Sequence, residues 1–289
     1  MKKKKRIKKS IRVCFTFIIL IALTIVSYLI INKNGGKDFN FNKFVNENKI
    51  TYPIVNKISL VATGDALLHN PVYISAYDNS TESFNFAPQL ELVKEEIKNY
   101  DIRYYNQETV FGGKLTDRFN CKYNMPGYCS YPYFNSPSEF GDAMVDAGFN
   151  MVSLASNHSA DCTYASDTCI TNSYNYWKSK NVVFDGFNED ESKENKYNIG
   201  EKNGIKYGFL NYTNTLNGLD NSVSNIKYKI DLYDEETAKK EIEDLKTKVD
   251  VVIVAMHWHK ASAEYETVPT QANKEIANYL ASLGVDIIL

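Results

Sequence analysis

Histidine is scarce in this 289-residue chain, and the four that occur are not scattered. His69, His158, His257 and His259 all fall just past stretches that read as buried strands, beside Asp65, Asn157 and Asp161. Histidines satisfied one by one in a core would not share that placement, so a metal or phosphoryl site is expected. None of the five cysteines forms a C-x-x-C pattern, which speaks against a cysteine-only zinc site. Positive charge is unevenly placed. Lys2–Lys5, Arg6, Lys8, Lys9 and Arg12 crowd the first twelve positions and leave the remainder clearly acidic, without the basic face that nucleic acid requires.

Charge is absent altogether from Val13 to Ile31, nineteen residues that are long enough to cross a bilayer as a helix. The basic cluster before them keeps the N-terminus inside. No small-x-small cleavage site follows, so the expectation is an uncleaved single-pass anchor in the cell membrane rather than a signal peptide. Residues 1–12 are then cytoplasmic, 13–31 span the membrane, 32–56 are a flexible Asn-, Lys- and Gly-rich tether, and 57–289 form an extracytoplasmic domain. Disulfides persist on that side. Cys14 sits at the membrane edge, while Cys121/Cys129 and Cys162/Cys169 lie in polar, loop-like sequence. Local bridges are the simplest of their three connectivities.

Along the domain, helical and strand patterns alternate, an α/β order. Ile58–Thr63 reads as a short buried strand ending at Gly64–Asp65. A helix is predicted over Pro88–Tyr100, a strand over Ile102–Tyr105 running into Asn106–Gln107–Glu108, and a helix opened by Ser136 as N-cap with Pro137 at its first position and closed by Gly148. The β-prone run from Phe149 delivers Asn157 and His158 to a strand's C-terminal edge, where open α/β sheets place chemistry. Ile170, Tyr174 and Trp177 mark another helix, and Val182–Phe184 a short strand. The charged segment 188–202 reads as a surface connection, and a strand-rich half begins at Gly204. Asp234 caps a helix running to Lys248. Val251–Met256 is the clearest buried strand and delivers His257, and a helix over Gln271–Leu283 ends at Gly284.

A binuclear site draws oxygen and nitrogen ligands from separate strand ends, and these motifs meet that need. Glu108 could bind metal, orient a ligand or cap a turn. Gly64–Asp65–Ala66–Leu67–Leu68–His69, Asn106–Gln107–Glu108–Thr109, the run Gly148–Asp161 with Ser156–Asn157–His158, the run Gly204–Thr213 with Asn217–Gly218, and His257–Trp258 with Glu264–Tyr265 together resemble the CapA family. That family serves poly-gamma-glutamate capsule biosynthesis and is related to calcineurin-like metallophosphoesterases. The resemblance implies a four-layer α/β/β/α sandwich and work on an anionic cell-surface polymer such as poly-gamma-glutamate, with synthase or export subunits as partners. It places Asp65, Asn157, His158 and His257 on metal positions for divalent Mn, Zn or Fe, in a one- or two-ion site. His158, Glu108 and His69 are the candidate catalytic groups, and Asp161 and Glu264 fall on supporting positions.

Three departures stand out. His259 replaces the family's usual glycine, Lys260–Ala263 lengthen the segment before Glu264, and nothing follows Leu289 where the family continues into a Gly-x-His-Pro-His motif. The expectation is a C-terminally truncated domain with an incomplete site. Two functions follow: a metal-dependent hydrolase or polymer-processing enzyme, or a non-catalytic polymer-binding scaffold.

Overall fold

The computed structural model describes residues 23, 24, 26, 29, 55–114, 127–162, 168–191, 197–258 and 267–289. The chain divides into two units, Met1–Val55 and Asn56–Leu289. Of the first, Leu23, Thr24, Val26 and Leu29 are helical and exposed; the rest of the expected span 13–31 lies outside the described residues. No described helix is long and apolar enough to cross a membrane.

The second unit is a mixed α/β structure built on two sheets. In the first, β1 (Leu60–Asp65), β4 (Ile102–Asn106), β5 (Met151–Ser153) and β6 (Val183–Asp185) lie side by side in that order, all parallel. The second has the order β10 (Ile287–Ile288), β9 (Val251–His257), β8 (Ile205–Thr213) and β7 (Asn198–Lys202), parallel except for the β7–β8 pair. A small hairpin joins β2 (Tyr77–Asp78) and β3 (Ser83–Phe84).

Alternation along the strands sorts side chains into three cores. Tyr104 and Met151 of the first sheet meet Phe209 and Ile253 of the second, forming a core between the sheets. Their neighbours Tyr105 and Val152 face the opposite way, against α2 (Ala87–Ile97), α3 (Glu139–Ala147) and α4 (Thr168–Lys178), where Trp177 is fully buried. Leu210, Val252 and Val254 likewise turn outward, onto α5 (Glu235–Leu245) and α6 (Gln271–Leu283). Each sheet therefore carries helices on one face and its partner sheet on the other. The inner strands β5 and β9, buried on both faces, need the near-continuous apolar runs seen in the sequence.

Helix ends follow local chemistry, and the expected cap Asp234 accepts from Thr237 N at 2.9 Å to open α5. Thr270 accepts a hydrogen bond from Asn273 N at 3.2 Å to open α6, and Gly284 closes it at φ 94°. Gly148 at φ 111° closes α3. Ser136, by contrast, does not cap α3, which begins two residues later than that reading requires, at Glu139. Its hydroxyl is 2.6 Å from Thr109 Oγ1 and 3.0 Å from the Tyr73 hydroxyl. The helix predicted to reach Tyr100 stops at Ile97, leaving Tyr100 exposed. Part of the expected surface connection is strand β7. Asn203 and Gly204, at φ 54° and 75°, turn it back onto β8 as a tight hairpin with two positive-φ residues.

Candidate metal centre

The strand ends converge on one cleft of about 970 Å³, whose walls include Tyr131, Trp258 and Lys274. Asp65 closes β1, Glu108 follows β4, Asn157 and His158 follow β5, and His257 closes β9. All five line the cleft, together with Asp161. Parallel strands put their C-terminal ends on one edge, so residues 192 positions apart come together without any local sequence relationship.

His257 Nε2 is 2.9 Å from Asn157 Oδ1 and 4.0 Å from Glu108 Oε1. His158 Nε2 is 3.8 Å from the same Glu108 oxygen. Behind His158, Nδ1 meets Asp161 Oδ2 at 2.6 Å, and that carboxylate oxygen also accepts from Phe134 N at 2.7 Å. This pairing fixes the ring so that Nε2 faces the cleft. Burial raises the Asp161 carboxyl, with the His158 hydrogen bond opposing it. Burial likewise pushes Glu108 up to about 7, with the Asp65 carboxylate next in effect and His158 pulling the other way.

Asn106 was not among the expected site residues, yet it ties the cluster together. Its Nδ2 donates to Asp65 Oδ1 at 2.8 Å and meets His257 Nδ1 at 3.2 Å. Its Oδ1 accepts from Ser153 Oγ at 2.7 Å, and Ser153 in turn meets the Tyr104 hydroxyl. The run Asn106–Gln107–Glu108 at the end of β4 was the available signal. Asn217 was another residue to find: at φ 53° beside Gly218, it accepts from Asn157 Nδ2 at 3.3 Å.

His69 lies apart from this cluster. It is exposed ahead of α1 (Asn70–Ala76), stacked near Tyr131, with Phe134 set edge-on between it and His158. His259 and Glu264 lie outside the described residues. Cys162 and Cys169 form a disulfide. Cys129 is also disulfide-bonded, and its expected partner Cys121 lies outside the described residues.

The donor chemistry fits a divalent cation. Two carboxyl groups, Asp65 and Glu108, stand close enough for Asp65 to disfavour ionisation of Glu108, beside an amide oxygen and two imidazoles. Among the described residues no three His, Cys, Asp or Glu side chains are spaced to chelate one ion. Asn157 and His257 satisfy each other instead.

The family model for the bacterial capsule synthesis protein PGA_cap matches residues 59–289. No curated protein sequence matches the chain. Among solved structures, a hypothetical protein from Thermus thermophilus aligns with TM-score 0.43 and 17% identity over 80% of this chain and 66% of its own. A Staphylococcus aureus protein with a provisional 5'-nucleotidase assignment, solved with alpha-ketoglutarate, gives 0.43 and 12% over 80% and 44%. The Haemophilus influenzae NAD nucleotidase gives 0.39 and 13% over 80% and 46%. The chain thus spans just under two thirds of the first structure's length and less than half of the other two.

Proposed function

Because the chain belongs to the bacterial capsule synthesis protein family PGA_cap, we propose that it is a membrane-anchored, extracytoplasmic CapA-like protein of capsule or poly-gamma-glutamate biosynthesis with a metallophosphoesterase-like site. The observation that carries this reading is the convergence of Asp65, Glu108, Asn157, His158 and His257 at strand ends on a single cleft. Asp65, Asn157, His158 and His257 would hold one or two divalent ions, Mn, Zn or Fe, which when bound supply an activated water and neutralise anionic charge.

The chain's own groups provide the rest. His158, held at Nδ1 by Asp161, presents Nε2 to the cleft, where it would bind an ion or, when no ion takes that nitrogen, take up and give back a proton. Glu108, pushed up to about 7, exchanges a proton near neutrality. Asn217 and Asn106 orient Asn157, Asp65 and His257. The partners of this reading are an anionic polymer such as poly-gamma-glutamate, the membrane, and synthase or export subunits.

One observation favours a second reading, a non-catalytic polymer-binding or scaffold subunit: Asn157 and His257, which both line the cleft, hydrogen-bond to each other. Metal analysis of the purified chain, with assays on a generic phosphodiester and on poly-gamma-glutamate, separates the two. Stoichiometric metal and turnover support the enzyme. Polymer binding without metal or turnover supports the scaffold.

A further inference from the structure

Asparagine at position 211 interrupts the apolar strand β8, and its side chain is 1% exposed. A lone amide buried there must be satisfied, and its partners come from both sheets. Its Oδ1 accepts from Leu154 N at 2.9 Å and from Ala155 N at 2.6 Å, in the segment after β5. Its Nδ2 donates to Ala255 O of β9 at 3.2 Å and approaches Ala155 O at 3.4 Å. The backbone beside it is gripped in return, because Asn211 N donates to Asp185 Oδ2 of β6 at 2.8 Å.

Ala155 stands two residues before Asn157, and Ala255 two residues before His257. One side chain therefore holds the two segments that bring Asn157 and His257 within 2.9 Å of each other. The approach is close enough to demand glycine on the facing segment. A Cβ on Gly186, at φ 107°, would stand 2.2 Å from Asn211 Oδ1 and 2.3 Å from Ala155 N.

We propose that Asn211 is a positioning residue: it sets the spacing between the two sheets at the cleft and so aligns the Asn157–His158 half of the site with the His257 half. The assignment concerns geometry rather than chemistry. It stands whether the site is an enzyme's or a scaffold's, and the test does not read activity.

The test uses the full chain in detergent, labelled with ¹⁵N in the histidine rings and assigned with single His→Gln variants. Asn211→Ala is expected to shift the ring signals of His158 and His257 together and leave His69 in place, with amide exchange at Ala155 accelerated at least about tenfold; Leu154 N keeps its bond to Asp185 O and serves as the internal control. Asn211→Asp keeps an acceptor for the Ala155 amide but loses the donor to Ala255, so it should restore Ala155 protection while His257 stays displaced. A folded Asn211→Ala chain whose His158 and His257 signals coincide with the parent's would overturn the proposal, even if its melting temperature falls. If neither variant folds, exchange in the parent chain decides. An Ala155 amide protected like those of β8 supports the latch, and one as labile as exposed loops overturns it.

Discussion

His257 Nε2 hydrogen-bonds Asn157 Oδ1 across 100 residues of sequence, joining the end of β9 in one sheet to the turn after β5 in the other. The Asn157 amide nitrogen is turned to Asn217, so its oxygen faces the imidazole. An amide oxygen can only accept; Nε2 therefore carries the hydrogen, and Nδ1 accepts from Asn106. A cation drawn to Nε2 competes with this bond. Replacing His257 with Gln should weaken Mn or Zn binding by at least about tenfold in a calorimetric titration. Unchanged affinity would remove His257 from the metal set.

Glu108 makes the metal-free protein sensitive to pH. Its folded-state pKa is pushed up from 4.5 to about 7, chiefly by burial and then by Asp65. The folded chain thus binds this proton more tightly than the unfolded chain does. The contribution is fully present below pH 4.5 and is lost as pH rises through about 7, at a cost on the order of 3 kcal/mol. Glu108→Gln should match the parent at pH 4.5 in chelator and exceed it at pH 8 in urea unfolding, and divalent cation should narrow or reverse that difference. Parallel pH profiles for the two chains would refute the assignment.

Much of this architecture was legible because it rests on patterns that repeat. The β-branched run Val251–Met256 and the caps Asp234 and Gly284 each carry their own signal. Strand β7 did not, since an edge strand with Glu201 and Lys202 facing solvent looks like a loop. Ser136 misled for another reason: its partner Tyr73 is 63 residues away, and no capping rule contains that contact. Asp65, Glu108, Asn157, His158 and His257 could be placed together because each follows a strand. His69 satisfies the same rule but is exposed beside Tyr131, because position along a strand does not say which way a side chain turns. Asn106 and Asn211 act through hydrogen bonds to distant segments. Asn211 lay inside the recognised run Gly204–Thr213, but as a polar residue in an apolar strand it carried no sign of which segments it binds.

The disulfide between Cys162 and Cys169 closes a short loop directly after Asp161, and both cysteines are buried. Constraining a loop of that size contributes about 2–3 kcal/mol. Replacing both cysteines with serine should lower stability by that order in chemical unfolding. Peptide mapping without reduction should recover the linked pair, whereas recovery of both as free thiols would contradict the bridge.

The proposed anchoring makes a cellular prediction. The basic residues before Val13 oppose translocation and Val13–Ile31 favour the bilayer, so the domain from Lys57 onward is expected outside. Protease added to intact cells should degrade it. Full protection, or release of a shorter soluble form, would rule out the uncleaved anchor.

Asp161 offers the sharpest separation of structural from site effects. One of its oxygens accepts from both Phe134 N and His158 Nδ1, and the residue is 1% exposed. Asp161→Ala leaves two buried donors without this acceptor, which should cost about 1–3 kcal/mol. It also frees the His158 ring to turn, so cation affinity or turnover should fall by about 10–100-fold. Asp161→Asn keeps an oxygen at the same place but not the charge that supports His158. It should recover most of the stability while leaving affinity or turnover depressed. If Asp161→Asn restores both together, the accepting oxygen alone holds His158, which then owes nothing to the charge.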